Sequence, residues 1–315
     1  MYKSSRDVNN ETNMGFEMKQ MRIGSMDLMT IDAIYSALPH LPALGEEVCS
    51  RSFRMTLGGG PIASLVTAGR LGAQTRLCTC VGDDAGSAMG AGILRGEGVE
   101  CLHFDCDARG GSPVYYTSVM TFAGSDRAFV SYFPDTDFFA TRMREKAEAL
   151  RDCDVCILSN RIPEEFESLP ARIAFDVSWR DGMKLEDYLP WLRRAWLFTP
   201  NEKEARQLTG CADVESAALA LARHVENVVV KLGAEGAMYV QNGRAHRVPG
   251  EKVAAVDSTG AGDAFLGGLV YGLASGWDME EAVCLANYTG ATATTAIGCL
   301  TARPSMALWR NRRNA

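Results

Sequence analysis

Between residues 77 and 232, short apolar runs alternate with stretches of helical spacing. LCTCV (77–81), VCIL (155–158), IAFDV (173–177), AWLF (195–198) and VVVKL (228–232) have the length and the branched or aromatic content of buried strands. Alternation of this kind predicts parallel βαβ units, an α/β fold with helices over both faces of one sheet. One stretch departs from the pattern. PVYYTSVMTF (113–122) and AFVSYF (128–133) alternate two faces and are joined by AGSDR, which predicts an antiparallel hairpin. It reads either as a flap over the open end of the α/β body or as an ordinary edge hairpin. A second hairpin is expected in MYVQNGRAHRV, where Asn242-Gly243 supplies the turn. Residues 1–20 are polar and aperiodic and hold several Met, so a frayed extension is expected there, with structure beginning near Met21. No repeat or Pro/Gly/Ser linker divides the remainder, so residues 21–315 read as one domain with a subordinate flap.

Composition narrows the class. The 315 residues are 47% apolar and 23% charged, which excludes a disordered or collagen-like chain. No apolar run approaches the roughly 18–20 residues that cross a bilayer, and the N-terminus lacks a basic segment followed by an apolar one. A cytoplasmic protein with no membrane partner is expected. Lys and Arg number 32 against 39 acids, a net charge of −7, and no basic run is long enough to hold a nucleic-acid backbone, so no nucleic-acid partner is expected. The ten Cys are dilute, and Cys78, Cys80, Cys153, Cys156 and Cys284 lie in apolar runs, as buried reduced thiols would. Cys153 and Cys156 form a CxxC that lacks a second pair or a nearby His to complete a metal site. The phosphate loop GxxxxGK[ST], the zinc motif HExxH, the GxSxG elbow and the GxGxxG turn are all absent from the sequence.

The candidate chemistry lies in VDSTGAGDAFLGGLVYGLASGW (256–277). Phe265, Leu269, Leu273 and Trp277 recur every four residues, which places Gly260-Ala261-Gly262 at a helix N-terminus. Small residues there let an anion approach unpaired N–H groups, and the helix dipole adds positive potential at the same spot. Asp263 follows in the first turn. It is either an acid held beside a bound anion or a first-turn acid of purely structural value. At a helix N-terminus its pKa is expected to be lowered if shifted at all, leaving it ionised at neutral pH. Gly267, Gly268 and Gly272 inside the helix cost about 1 kcal/mol each relative to Ala, which implies close helix packing or backbone approach.

The run Asp257-Ser258-Thr259-Gly260-Ala261-Gly262-Asp263 resembles the C-terminal signature of the ribokinase-like (PfkB) family of carbohydrate and nucleoside kinases. Further segments resemble the family in its own order: Leu57-Gly58-Gly59-Gly60-Pro61 with Ala68-Gly69-Arg70-Leu71-Gly72-Ala73, Val81-Gly82-Asp83-Asp84-Ala85-Gly86, Thr199-Pro200-Asn201-Glu202-Lys203-Glu204-Ala205, and Lys231-Leu232-Gly233-Ala234-Glu235-Gly236-Ala237. The resemblance runs from about Arg22 to Pro304. It implies a ribokinase-like fold with a mostly parallel central sheet and a small β-strand lid drawn from about 45–57 and 112–133. It also implies ATP-dependent transfer of the γ-phosphoryl group to a hydroxyl of a sugar or sugar acid, with Mg²⁺. Asp263 would be the base, and the Gly260, Ala261 and Gly262 backbone would steady the phosphoryl group. Asn201 and Glu204 are assigned to the phosphate and Mg²⁺ region, with water between carboxylate and metal, in keeping with the reluctance of Mg²⁺ to dehydrate. Lys231, Gly233 and Gly236 would border the nucleotide. Asn287 would lie near the adenine, although without the family it reads as a polar residue on a helix surface. Asp257 matches a position that in some members helps hold a monovalent cation such as K⁺.

On the sugar side the resemblance selects Gly58, Gly59, Gly60 and an Asp soon after the first strand. Asp32 is in better register than its competitor Asp27. Many sugar-kinase members carry Asn where this chain has Ala63, which removes donors and an acceptor for a sugar hydroxyl. Phe175-Asp176-Val177-Ser178-Trp179-Arg180 resembles a strand end in fructokinase-like and ketodeoxygluconate kinase-like members, and Arg180 there suits an acidic sugar or, alternatively, a surface ion pair. Lid strands of the family often pair between subunits, which implies a homodimer. Two other readings stand beside the sugar kinase: a nucleoside kinase using Tyr115, Tyr116 or Phe133 as a platform for a base, and a catalytically silent nucleotide-binding regulator.

Overall fold

Val155 and Ile157 face one side of the central sheet while Cys156 and Leu158 face the other, and each side has its own apolar core. The same split separates Ala174 and Val229 from Ile173, Phe175, Val228 and Val230. These runs are apolar throughout, rather than alternating with polar residues, because helices cover both faces of the sheet.

The computed structural model describes residues 21–122 and 127–313. The extension expected over residues 1–20 lies outside the described residues, as does the hairpin tip at 123–126. The strands in chain order are β1 (Arg22–Met26), β2 (Thr30–Leu38), β3 (Ser52–Gly58), β4 (Gln74–Thr79), β5 (Val99–His103), β6 (Ala108–Arg109), β7 (Tyr115–Phe122), β8 (Arg127–Tyr132), β9 (Asp135–Thr136) and β10 (Val155–Ser159). They continue with β11 (Arg172–Asp176), β12 (Leu197–Phe198), β13 (Asn227–Lys231), β14 (Ala237–Gln241) and β15 (Arg244–Val248). The main sheet runs β15-β14-β13-β12-β11-β10-β1-β4-β5, parallel from β13 to β5. β14 and β15 extend it as the expected antiparallel hairpin, with Asn242 and Gly243 both at positive φ, the geometry of a tight primed turn.

Helices Gly60–Leu71, Ala261–Ala274 and Met279–Ala293 pack on the Val155 face of this sheet. The glycines inside the second of them allow these helices to touch. A side chain at Gly267 would collide with the Ser64 carbonyl of the first helix, and one at Gly268 with Thr289 of the third, whose Oγ1 donates to Ala264 O at 2.8 Å. Gly267→Val is therefore expected to lower stability by about 1–3 kcal/mol through overpacking, read as a drop in melting temperature. An unchanged melt would show that the helices can separate without cost.

A second sheet, β3-β2-β7-β8, stands apart from the first. The β7–β8 hairpin has the antiparallel register expected, Tyr116 opposite Tyr132 and Thr121 opposite Arg127. β3 begins at Ser52, and residues 45–51, expected to contribute to it, are not strand. β2 is the unexpected member, antiparallel to β3 and parallel to β7. Its Thr30-Ile31-Asp32-Ala33-Ile34 interleaves Ile with polar and small residues, and the alternation becomes legible only beside its partners. One face of this sheet carries Asp32, Ile34, Thr56, Thr117 and Phe129 by register, and Thr56 and Ile34 lie against Gly298 of the main body. None of the ten Cys forms a disulfide, but Cys284 is only half-buried and Cys49 is exposed, so burial holds for Cys78, Cys80, Cys153 and Cys156 and not for every Cys in an apolar run.

Candidate active site

The parallel strands end on one side of the sheet, where loops and helix N-termini leave a cleft. Asp176 closes β11, Asn201 follows β12, Lys231 closes β13 and Asp27 follows β1. Asn201 and Lys231 pair as an isolated parallel bridge, and Lys231 N–H donates to Pro200 O at 2.9 Å. Adjacent strand ends thus bring together residues that are up to 204 positions apart (231 minus 27).

The helix expected after Gly260 starts at Ala261, with Gly260 capping it at a φ of 75°. A side chain at Gly260 would overlap Cys299. Ala261 N–H closes a long turn bond to Ser258 O at 3.3 Å, and among the described residues the next two N–H groups, of Gly262 and Asp263, have no acceptor. They remain available to an anion. Asp263 is anchored through its backbone by Ser64 and given room by Gly60. Ser64 Oγ donates to its backbone carbonyl at 2.8 Å, and its Oδ1 lies 3.0 Å from where a Cβ on Gly60 would stand. Gly60 is therefore a place where the acid needs room.

Lys231 Nζ reaches both Asp176 oxygens, at 3.3 and 3.2 Å, with the two side chains 14% and 11% exposed. It also lies 3.5 Å from the Cβ position of Gly262, beside the open N–H groups. Burial alone would lower the Lys231 ammonium, but Asp176, Glu204 and Asp263 over-compensate and hold it above its ordinary range. Asp176 is raised by burial, with Lys231 opposing.

Asp263 corrects the expectation drawn from its helix. Burial first, then the Asp176 charge, raise its pKa to about 6, with Lys231 opposing. The helix dipole favours the anion by less than desolvation beside a second carboxylate disfavours it. Asp263 is still mostly ionised at neutral pH.

Asn201 and Glu204 position each other. Asn201 Oδ1 accepts Glu204 N–H at 2.9 Å and Glu204 Oε2 accepts Asn201 N–H at 2.8 Å, a capping box that starts helix Glu202–Thr209. Glu204 is buried, and its carboxyl is raised by that burial and by Asp176. A neighbouring cleft of about 490 Å³ is walled by Gly233, Gly236, Phe265, Asn287, Gly290 and Ala291. Asn287 is buried, not on a helix surface. Its Nδ2 donates to Val248 O at 3.3 Å and Pro249 O at 3.0 Å, so it holds the loop that forms the far wall.

At the other end, Asp32 lies against Gly58, where any side chain would displace its carboxylate. Burial and Asp257 raise Asp32 to about 6. Asp27 accepts Leu28 N–H at 2.8 Å and is raised to about 7, mainly by burial and in small part by Asp263. Asp32 and Asp27 both border this region, Asp32 beside Asp257 and Asp27 beside Asp263. Tyr115 and Phe133 meet edge to face at 5.4 Å, while Tyr116 is committed to Asp84 Oδ1 at 2.9 Å. Arg180 sits on an exposed loop, where its Nη2 donates to Tyr188 Oη at 2.9 Å.

Asp257 does not fit a monovalent cation. Its Oδ1 accepts from Thr259 N–H (3.0 Å), Thr259 Oγ1 (2.7 Å) and Arg127 Nη1 (3.1 Å), and its Oδ2 from Gly298 N–H (2.9 Å). Burial would raise this carboxyl, but those donors hold it below its ordinary value. Asp176, Ser64 and Arg127 were not singled out from the sequence. A carboxylate ending the apolar run IAFD was a usable signal for Asp176. Nothing local signals the other two.

The pfkB family carbohydrate kinase model matches residues 21–306. Ribokinase of Haemophilus influenzae is 26% identical over 286 residues, covering 85% of this chain and 91% of its own length. Aminoimidazole riboside kinase of Salmonella typhimurium is 30% identical over 274 residues, covering 78% and 84%. The crystal structure of ribokinase from Thermotoga maritima is similar in fold, with a TM-score of 0.77 at 23% identity over 94% of this chain and 100% of that one.

Proposed function

This chain belongs to the pfkB family of carbohydrate kinases, phosphotransferases that use ATP and an alcohol acceptor, and from that premise we propose which of its residues carry the transfer. The acceptor is a sugar whose hydroxyl is oriented by Asp263 and gives up its proton to that carboxylate as the new O–P bond forms. The γ-phosphoryl group passes through a loose transition state, so positioning and charge stabilisation dominate. The N–H groups of Gly262 and Asp263 and the Lys231 ammonium meet the charge on the transferring oxygens. The single observation that carries this reading is the acid and the open N–H groups on one helix turn, with Lys231 Nζ beside them. The triphosphate runs from there along the Gly233–Gly236 wall into the 490 Å³ cleft, with the base toward Asn287.

Mg²⁺ fits as a companion of the nucleotide. Among the described residues no cluster of three His, Cys, Asp or Glu side chains is arranged to hold a metal, whereas buried Glu204, held through Oε2, suits an outer-sphere contact through water. Bound there, the metal would neutralise phosphate charge.

Asp32, Gly58, Gly59 and Gly60 hold the sugar under a lid formed by β2, β3, β7 and β8, with the desolvated Asp27 nearby. On the opposite face of the lid, Tyr35, Phe53, Met55 and Val130 share the register and are exposed. An apolar strand face of this kind suits a second copy of the chain, as a homodimer whose sedimentation at micromolar concentration exceeds that of a monomer. A cytoplasmic location fits an enzyme supplied with ATP.

ADP release over a panel of neutral sugars, sugar acids and nucleosides tests the reading. A neutral sugar as best acceptor is the expected result. Preference for a nucleoside would instead assign the Tyr115–Phe133 pair to a base. Thermal stabilisation by ATP with no turnover on any acceptor would make the protein a nucleotide-binding regulator.

A further inference from the structure

We propose that Arg127, carried on lid strand β8, occupies the place of a monovalent cation at Asp257, so that this kinase works without K⁺ and its phosphate cradle is braced by the lid. The inference rests on the kinase reading above. Arg127 Nη1 contacts Asp257 Oδ1 at 3.1 Å and Thr259 Oγ1 at 2.8 Å, and Nη2 contacts Ser258 Oγ at 3.0 Å. One guanidinium therefore grips all three residues that precede Gly260. Its five donors in a planar fork suit this better than a spherical ion would. Asp257 accepts four hydrogen bonds, three of them at Oδ1, the oxygen that Arg127 holds, so a metal ion bound at Oδ1 would have to displace Arg127. The nearby carbonyl of Thr294 is also engaged, since it accepts both Val256 N–H (2.7 Å) and Asp257 N–H (3.1 Å).

The placement follows from the sheet. Arg127 opposes Thr121 and shares a face with Phe129, two residues on and 5.8 Å from the guanidinium carbon, and that is the face turned to the cleft. The Asp257 side chain is 10% exposed and that of Arg127 30%, so the carboxylate is the sheltered partner of the pair. Closure of the lid then delivers a fixed positive charge to the loop that sets the position of Gly262 and Asp263, and opening removes it. Arg127 acts through that loop and is a positioning residue.

The test compares potassium, sodium and tetramethylammonium chloride at equal ionic strength. The wild-type protein is expected to keep the same melting temperature in all three salts and, with its best acceptor, a kcat within about twofold. Arg127→Ala exposes Asp257 and is expected to lower kcat about tenfold with a smaller change in the KM for ATP, and to acquire activation and thermal stabilisation by K⁺. Arg127→Lys restores a cation and should recover most of kcat without K⁺ dependence. Stimulation of the wild type by K⁺ of fivefold or more would overturn the proposal, as would an Arg127→Ala variant that is unaffected in rate and indifferent to K⁺. Because the melting series needs no acceptor, it still decides the point if no sugar is turned over, and that second outcome would fall on the kinase reading alone.

Discussion

Asp263→Ala is expected to lower kcat by about 10²-fold or more while leaving the affinity for ATP nearly unchanged, because the carboxylate touches the acceptor hydroxyl and not the nucleotide. Single-turnover ADP formation with the best acceptor, alongside ATP binding, separates the two effects. Near-normal turnover in this variant would remove Asp263 from its role. The wild-type pH profile carries the same information. With Asp263 raised to about 6, kcat should fall as pH drops through about 6 instead of persisting toward 4 as it would with an ordinary aspartate. The stability effect has the opposite sign to the activity effect. The folded pKa lies above the unfolded value of 3.8, so this group favours folding most fully below about 3.8, and that contribution is lost as pH rises through about 6. At pH 8 the buried carboxylate therefore opposes folding, and Asp263→Asn should melt no lower than wild type, with an advantage that narrows at pH 4. A catalytic loss combined with a melting temperature that holds or rises is not what general damage to the fold would give.

Lys231→Met should lose both activity and stability. It leaves Asp176, 11% exposed, without its counter-ion, at an expected cost of about 3–5 kcal/mol near neutral pH. It also takes a positive charge away from the Gly262 and Asp263 N–H groups, for which a loss of about 10²–10³ in kcat/KM is expected. Denaturant melts and initial rates read the two effects separately. Removing both partners, as Lys231→Met with Asp176→Leu, should recover much of the stability and none of the rate. If the double variant is as unstable as the single one, the ion pair is not the source of the cost. Acid should narrow the stability defect of the single variant, because a protonated Asp176 no longer needs a counter-ion.

The parts of the molecule that could be read in advance are local in sequence. The Asn242-Gly243 turn, the β7–β8 hairpin and the helix beginning at Ala261 each depend on neighbouring residues and on a period of two or close to four, so pattern alone located them. The family signature placed Asp263 one residue beyond the cradle for the same reason. β2 escaped because its polar and small residues show their alternation only beside β3 and β7. Asp176 and Arg127 escaped because their partners, Lys231 and Asp257, lie 55 and 130 positions away.

Charge shows the division most clearly. Sequence by itself determined that an acid stands at a helix N-terminus after three small residues, since helix geometry needs only a handful of consecutive positions. Tertiary structure alone decided that this acid is desolvated beside Asp176 and Lys231, which reverses the direction of its pKa, and that a lid arginine and not an open carboxylate faces the loop before it. Local periodicity is carried by the chain, whereas desolvation and Coulomb energy depend on distances that exist only after distant strand ends have come together.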